Sequence, residues 1–184
     1  MNGTALIPQT PLSTWQRLDR RLFAWVGGGH QARPLWLALA CATGRWSWLP
    51  LLGLMVAGLW HEGTSGAWVL AQCVGVATAV QLASKHLARR WQAQRPFMLG
   101  LSPNHLHHSA RAGFPSTHAT VMGAVLGFMA WPLQEHPALP GLAATVLATG
   151  WARVYAGAHF PLDVAAGWAA GMASGALVGW WLWG

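Results

Sequence analysis

Acidic residues are scarce in this sequence: only four of its 184 residues are Asp or Glu, and charged residues of either sign make up 8% of the chain. Apolar residues make up 54%, which is far from the composition of an average soluble domain. The composition therefore excludes a water-soluble globular protein, and the length fits one domain, residues 1–184.

Cysteine is also rare. Cys41 and Cys73 are the two cysteines of the chain, and both lie inside apolar runs without the spacing of a metal site. We expect both to be small core residues. The sequence shows neither the alternation typical of strands nor a repeat of roughly 20 to 50 residues. Sheet and repeat architectures are therefore not expected.

Long apolar runs dominate the chain, and they cover residues 34–60, 66–84, 116–133, 138–156 and 160–183. Most approach the roughly 20 residues that a helix needs to cross about 30 Å of hydrocarbon. Several of the fourteen Trp residues lie near run ends, where amphipathic rings favour the headgroup layer. The sequence therefore predicts an all-α integral membrane protein, a bundle of five to six transmembrane helices over residues 34–183. Arg45 indicates that residues 34–44 lie partly along the interface and that the spanning helix begins near Trp46.

Residues 1–33 are predicted to form an N-terminal interfacial segment. Within them, STWQRLDRRLFAWV has the pattern of an amphipathic helix with its cap near Ser13. A mobile basic tail is the alternative. No uninterrupted apolar core and no small-residue cleavage site is present, so a signal peptide is not expected. The apolar residues expected to face lipid are Leu18, Leu22, Phe23 and Val26.

The basic residues have an uneven predicted distribution. Alternate crossings through the five runs place all eleven Lys and Arg residues at one membrane face, and the opposite face carries Glu62 and Glu135. The basic face is suited to negative charge, either of lipid headgroups or of a substrate. The net charge of +7 does not indicate nucleic-acid binding, because the basic residues are not interleaved with a recognition motif.

Glycine recurs at four-residue steps in the last run, at Gly167, Gly171, Gly175 and Gly179. This spacing lets another helix backbone approach closely. Gly123 and Gly127 indicate a similar contact on the third run. The alternative is a lipid-facing helix with incidental glycines.

The stretch FPSTHA opens the third run and has the features of an anion site. A helix N-terminus offers unpaired amide hydrogens and the positive end of its dipole, with the Ser116 hydroxyl beside them. His118 would lie in the first turn, where it could pass a proton to a leaving oxygen. The alternative is an ordinary Ser/Thr cap with an interfacial His.

The stretch RVYAGAHFPLDV joins the last two runs. Because His159 and Asp163 are four residues apart, a helical turn could bring the carboxylate to one imidazole nitrogen and leave the other free as a nucleophile. Arg153 could neutralise phosphate oxygens. The alternative for the His159 and Asp163 pair is a buried polar contact without a catalytic role. Asp163 is the only acidic residue near this site, so no carboxylate cluster suits Mg²⁺. These features favour phosphoryl transfer through a histidine, without metal or cofactor.

These residues resemble two motifs of the type 2 phosphatidic acid phosphatase superfamily, membrane lipid phosphatases that share their site with vanadium-dependent haloperoxidases and acid phosphatases. Pro-Ser-any-His appears as PSTH, residues 115–118, and Arg-five residues-His-three residues-Asp begins at Arg153. The resemblance covers roughly residues 15–183. It implies that His159 is the nucleophile, Asp163 its orienting partner and His118 the general acid. The phosphate ligands that it implies are Arg153, Arg95, Ser116, Lys85 and Thr117.

The first family motif, Lys-six residues-Arg-Pro, is incomplete here. In KHLARRWQAQRP, Arg95 and Pro96 are in place, but Ala88 occupies the expected Lys position and Lys85 lies three residues too early. Three residues are close to one helical turn, so Lys85 could still reach the site. Alternatively, Arg89 or Arg90 could replace it, or these two could contact lipid headgroups. The histidines of residues 104–109 could shape the substrate entrance, although lone interfacial polar residues are the favoured interpretation.

The resemblance implies a membrane lipid phosphatase, similar to compact bacterial undecaprenyl diphosphate phosphatases. Phosphatidylglycerol phosphate, phosphatidic acid and lipid A phosphates are alternative substrates, and a phosphotransferase would use the same residues. A noncatalytic lipid-phosphate binding or transport protein is the alternative of another class. The expected partners are the substrate and membrane lipids, with no nucleic acid and the oligomeric state open. The positive-inside rule places the basic face in the cytoplasm, whereas the resemblance, which we follow, implies a multi-pass protein of the bacterial inner membrane with a periplasmic site.

Overall fold

The computed structural model describes residues 13–110 and 112–184. Helix covers 77% of these residues and they contain no strand, so the predicted all-α class is confirmed. The α-helices of the described residues are α1 (Thr14–Val26), α2 (Pro34–Trp46), α3 (Trp48–Leu59), α4 (Gly63–Trp91), α5 (Thr117–Met129), α6 (Ala138–Tyr155) and α7 (Pro161–Trp183). Short 3₁₀ helices lie at Gly29–Gln31, Trp60–Glu62 and Pro96–Leu99.

Several helices are shorter than the apolar runs that predicted them. The first run divides at Ser47 into α2 and α3, which confirms the predicted break near Trp46. The third run gives α5 with 13 residues, about 20 Å at 1.5 Å per residue. Among the described residues, the segments long and apolar enough to cross a membrane are Trp48–Leu99, which contains α3 and α4, and Pro161–Trp183. Helices α4, α6 and α7 have 29, 18 and 23 residues, so most of the five runs give helices near or above the expected length, whereas α2, α3 and α5 are shorter.

The amphipathic helix α1 begins as the sequence predicts. Ser13 and Gln16 form a capping box, in which each side chain accepts a hydrogen bond from the other's backbone N–H. The tail alternative is therefore wrong for α1, while residues 1–12 of the predicted segment lie outside the described residues.

The orientation of α1 differs from the expectation that Phe23 faces lipid. Phe23 is buried, and its ring packs edge-on against Phe160 with the ring centroids 5.6 Å apart. Such an arrangement is favourable for two aromatic rings. Trp15, Leu18 and Trp25 are exposed instead. The helix therefore docks on the protein through Phe23, directly over the turn that precedes α7.

Helices α5 and α7 pack with their backbones in contact. A Cβ at Gly171 would overlap the Thr120 carbonyl oxygen, and a Cβ at Gly127 would overlap the Met172 carbonyl oxygen. The predicted glycine contact is thus confirmed and the lipid-facing alternative is wrong. Where the two helices begin, the Ser116 N–H donates to the Asp163 carbonyl oxygen at 3.0 Å. The starts of α5 and α7 are therefore held side by side.

The bundle has two different ends. At one end, here called the basic end (residues 27–33, 92–110, 112–116 and 153–163), the Gly28 N–H donates to the Tyr155 carbonyl oxygen and His30 contacts the Gly100 carbonyl oxygen. At the other, Gly58 packs beside Leu133, close to the loops that carry the acidic residues Glu62 and Glu135. Between the ends lies an apolar core that contains buried Cys73, as predicted.

Candidate active site

The start of α5 forms one wall of the site. Ser116 is fully buried as the N-cap, and its hydroxyl accepts from the Ala119 N–H at 3.5 Å. The Thr117 hydroxyl contacts Ser84 of α4 at 3.2 Å. His118 is exposed in the first turn. The predicted cap is therefore present, and His118 is the side chain of PSTH that projects from it.

The turn between α6 and α7 carries His159. Its Nδ1 lies 3.6 Å from Asp163 Oδ2, and that oxygen accepts a hydrogen bond from the Phe160 N–H at 2.9 Å. A separation of 3.6 Å is longer than a hydrogen bond, although catalytic contacts are often long without substrate. Both side chains are buried. The predicted spacing of four residues thus brings the carboxylate to the ring, with its position fixed by the backbone.

Arg95 holds the other side of the His159 ring. Its Nη1 donates to the Ala158 carbonyl oxygen and to His159 Nε2, both at 3.0 Å, and its Nη2 donates to the Ala112 carbonyl oxygen at 3.2 Å. Arginine has no acceptor atom, so His159 Nε2 accepts and the ring proton lies on Nδ1, toward Asp163. This tautomer leaves the Nε2 lone pair facing the guanidinium.

The surroundings of His159 favour its neutral form. Burial lowers the pKa of His159 well below its ordinary value, and the charges of Arg95 and Arg153 act in the same direction. A neutral imidazole with an unprotonated Nε2 is the form that attacks phosphorus.

Arg153 is the second guanidinium of the site and is buried in α6. Its Nη1 donates to His108 Nε2 at 3.0 Å, while its Nε is buried without a hydrogen-bond partner in the described part of the chain. A positive charge on Arg153, His159 or His108 would act on His118, so these groups lie within electrostatic range of one another. Two guanidinium groups, one with a buried unpaired N–H, fit an anion with several oxygens.

Most of the predicted site residues are brought together, and these are His159, Asp163, Arg153, Arg95, His118 and Ser116. Lys85 is not: it is exposed on α4 and makes no hydrogen bond or ion pair within the described ranges. The buried face of α4 is formed there by Ser84 and Ala88, which turns Lys85 outward. Arg89 and Arg90 are exposed as well. The first-motif lysine position is therefore filled by Ala88 and not by a nearby basic residue.

Two residues of this region were missed by sequence reasoning. The prediction that His108 is a lone interfacial polar residue is wrong, because it accepts a hydrogen bond from Arg153. Asp19 of α1 accepts from the Leu162 N–H at the start of α7. Asp19 could have been identified by its rarity, because it is an acidic residue within a basic helix of a chain that has only four acidic residues.

Comparison with known proteins agrees with this geometry. Residues 66–184 match the family model of the PAP2 superfamily. The chain belongs to the PAP2 superfamily. The family of type 2 phosphatidic acid phosphatases that the motifs predicted is therefore confirmed, and this PAP2 protein is a lipid phosphatase.

Individual relatives of this PAP2 protein come from several bacteria. The Escherichia coli (strain K12) protein named "Putative undecaprenyl-diphosphatase YbjG" is 31% identical over 159 residues, 85% of this chain and 79% of its own length. The crystal structure of a transmembrane PAP2-type phosphatidylglycerolphosphate phosphatase from Bacillus subtilis has a TM-score of 0.69 and 22% identity, over 91% of this chain and 85% of its own. Aquifex aeolicus LpxE has a TM-score of 0.65 and 21% identity, over 87% and 93%. The two structures show the fold.

Proposed function

We propose that this PAP2 protein hydrolyses the terminal phosphate of a lipid diphosphate, with undecaprenyl diphosphate as the first choice, through a phosphohistidine and without metal. The observation that carries the mechanism is the Arg95 Nη1 contact to His159 Nε2 at 3.0 Å, which marks the nitrogen that a phosphoryl group would meet. The choice of lipid is supported by YbjG, which is 31% identical, whereas the two solved structures, at 22% and 21% identity, support the fold alone.

The proposed reaction has two steps. His159 Nε2 attacks the terminal phosphorus, so that a P–N bond forms while the bond to the bridging oxygen breaks, and His118 gives its proton to that oxygen. Water then attacks the phosphohistidine: a P–O bond forms, the P–N bond breaks and His118 takes the proton of the water. Arg95 and Arg153 stabilise the equatorial oxygens in both steps, and Asp163 stabilises the proton on His159 Nδ1.

A substitution of His159 tests this proposal. We expect the purified His159→Ala variant to release phosphate from undecaprenyl and farnesyl diphosphate at least roughly a thousandfold more slowly than the wild type. The matched control is His136→Ala, which removes a histidine at the other end of the bundle. A reaction with labelled substrate can be quenched, and the labelled protein can then be exposed to acid or to base. Phosphohistidine survives base and is lost in acid. Phosphate release that survives His159→Ala would refute the mechanism.

We further propose five to six membrane crossings in the bacterial inner membrane, with residues 1–33 at the interface, residues 34–183 as the bundle and the basic end facing the periplasm. Single cysteines at positions 62 and 109, placed in a chain without Cys41 and Cys73, can be labelled with a membrane-impermeant maleimide in intact cells. We expect labelling at position 109 alone. Labelling at position 62 alone would reverse the orientation.

A further inference from the structure

His108 is held in place by two hydrogen bonds that its own loop supplies. Asn104 Nδ2 donates to the His108 carbonyl oxygen at 2.7 Å, and Asn104 Oδ1 accepts from the His108 N–H at 2.9 Å. The Asn104 side-chain amide therefore pairs with both the N–H and the carbonyl oxygen of residue 108 and fixes the backbone there, as side chains do in Asx motifs. The imidazole that results is half-buried and accepts from Arg153 Nη1 at 3.0 Å. Its position is thus set by two independent contacts.

The proposed phosphoryl transfer does not need this third imidazole. His159 is the nucleophile and His118 the acid, and the two guanidinium groups already balance the charge of one phosphate. His108 nevertheless lies beside them: its Nε2 accepts a hydrogen bond from Arg153 Nη1 at 3.0 Å, and a charge on its ring would act on His118. In an in-line displacement the acid stands beside the leaving oxygen, opposite the nucleophile. A ring that contacts Arg153 and lies within electrostatic range of His118 is close enough to meet a second phosphate on the side of the leaving group.

We propose that His108 binds the phosphate that leaves with the lipid, and that it thereby makes the site prefer a lipid diphosphate over the monophosphate of the same lipid. This inference rests on the proposed function, because it assumes attack by His159 on the terminal phosphate. The ligand class is a diphosphate monoester with an apolar chain, and the recognised group is the phosphate nearest the chain. His108 acts by binding and not by proton transfer to the bridging oxygen.

The state of His108 without substrate is consistent with this role. Burial lowers the pKa of His108 to about 4, and the charges of Arg153 and Arg95 act in the same direction. The ring is therefore neutral at pH 7 and accepts from Arg153. A bound diphosphate would attract the Arg153 Nη1 donor and bring negative charge against the ring. His108 is then released from Arg153 and can donate an N–H to a non-bridging oxygen of the inner phosphate.

Two substrates with one chain test the proposal, farnesyl diphosphate and farnesyl monophosphate, hydrolysed by the full-length protein in detergent micelles. For His108→Ala we expect kcat/KM for the diphosphate to fall about tenfold or more, and kcat/KM for the monophosphate to change less than about threefold. His108→Gln should recover part of the diphosphate rate, because its amide keeps an N–H donor. The ratio of the two rates on one preparation does not depend on the fraction of protein that is folded.

Two further variants separate binding from loop structure. His107→Asn is the matched control: His107 is exposed and has φ of 52°, a conformation that asparagine tolerates, so both rates should stay unchanged. Asn104→Ala removes the two hydrogen bonds that fix the backbone of residue 108, and it should lower the rate on the diphosphate more than the rate on the monophosphate.

The outcomes distinguish this inference from the proposed function. An equal fall of both rates in His108→Ala, or a wild-type rate ratio near one, would overturn the role of His108 and leave the phosphohistidine mechanism intact. Hydrolysis that survives His159→Ala would instead overturn the mechanism, and the inference with it.

Discussion

Asp19 caps helix α7 from 143 positions away: its Oδ1 accepts a hydrogen bond from the Leu162 N–H at 2.9 Å. The α7 N-cap is Phe160, whose side chain has no acceptor for the free amide hydrogens of the first turn. Asp19 supplies that acceptor from α1, and Phe23 of the same helix packs on Phe160. The interfacial helix is therefore joined to the turn that carries His159.

This relationship predicts that α1 and the site depend on one another. Asp19→Ala should lower the midpoint of thermal inactivation and reduce lipid phosphate hydrolysis, because loss of a helix cap costs about 1 kcal/mol. Asp19→Asn, which keeps the acceptor oxygen, should retain most of the activity. Glu62→Ala, an acidic residue at the other end, is the control. Full activity and unchanged inactivation in Asp19→Ala would contradict a role for the contact.

The same carboxyl group predicts a dependence on pH. Burial raises the pKa of Asp19 to about 6, the charge of Asp163 adds to this, and the hydrogen bond from Leu162 opposes it. The folded protein therefore binds more protons at Asp19 than the unfolded chain between about pH 4 and 6. Its contribution to stability is complete below the unfolded value of 3.8 and is lost as the pH rises through about 6.

The measurement is the inactivation midpoint of wild type and Asp19→Asn at several pH values from 4 to 8. The wild type should lose stability relative to Asp19→Asn as the pH rises from 4 to 7, because only the wild type must ionise a buried carboxyl. The difference between the two proteins removes the contribution of His108, whose lowered pKa has the opposite effect. A constant difference over this range would contradict the assignment.

Arg95 is predicted to tolerate no conservative replacement. Its two terminal nitrogens contact the Ala158 and Ala112 carbonyl oxygens and His159 Nε2, and a lysine ammonium cannot span these positions with a planar fork of donors. We expect kcat/KM of Arg95→Lys to fall roughly a hundredfold. Arg90→Lys, on the exposed end of α4, should remain within about twofold. Near-normal kcat/KM in Arg95→Lys would show that its fork is unnecessary.

His118 is predicted to act as an acid, which a change of leaving group can test. His118→Ala should slow hydrolysis of a lipid phosphate by roughly 10² to 10⁴, since an alkoxide or lipid phosphate leaves poorly without a proton. p-Nitrophenyl phosphate has an acidic leaving phenol that departs without a proton, so the rate of its hydrolysis should fall much less in the same variant. His86→Ala, an exposed histidine of α4, serves as the control. Equal losses on both substrates would indicate a binding role.

Gly167 is predicted to position the site through packing. A Cβ there would lie 2.8 Å from the Ser116 carbonyl oxygen and 3.0 Å from Ala119 Cβ, so Gly167→Leu should push α7 away from the start of α5. We expect a loss of about 1–3 kcal/mol in stability and reduced turnover. Gly75→Ala is the control, since Gly75 is also helical and, among the described residues outside its own helical turn, no heavy atom lies within 4 Å of an added Cβ. Unchanged turnover in Gly167→Leu would contradict the packing role.

Much of the site could be predicted because its chemistry is local in the chain. PSTH lies within one helix start, and four residues separate His159 from Asp163, so helical geometry alone brings the carboxylate to the ring. The glycine register of α7 is local in the same sense, since it depends only on the period of one helix. Composition likewise settled the all-α class, because an acid-poor chain with long apolar runs needs its backbone hydrogen bonds inside helices.

Other parts depended on contacts between distant residues, which no spacing encodes. Lys85 was expected to reach the site, but Ser84 and Ala88 occupy the buried face of α4, and that choice is made by packing against α5. The pattern of α1 likewise places Phe23 on the apolar face of the helix, but it does not determine whether lipid or protein covers that face. Phe160, from the far end of the chain, covers it because α1 folds back over α7.

The sequence by itself therefore determined the chemical groups of the reaction and the helices that carry them, since both follow from local periodicity. Only the tertiary structure decided which other side chains join them. His108 reaches Arg153 across 45 positions and Asp19 reaches Leu162 across 143. The partners of these two polar side chains are set by how whole helices pack, because a buried donor or acceptor must be satisfied by whatever group the fold brings near.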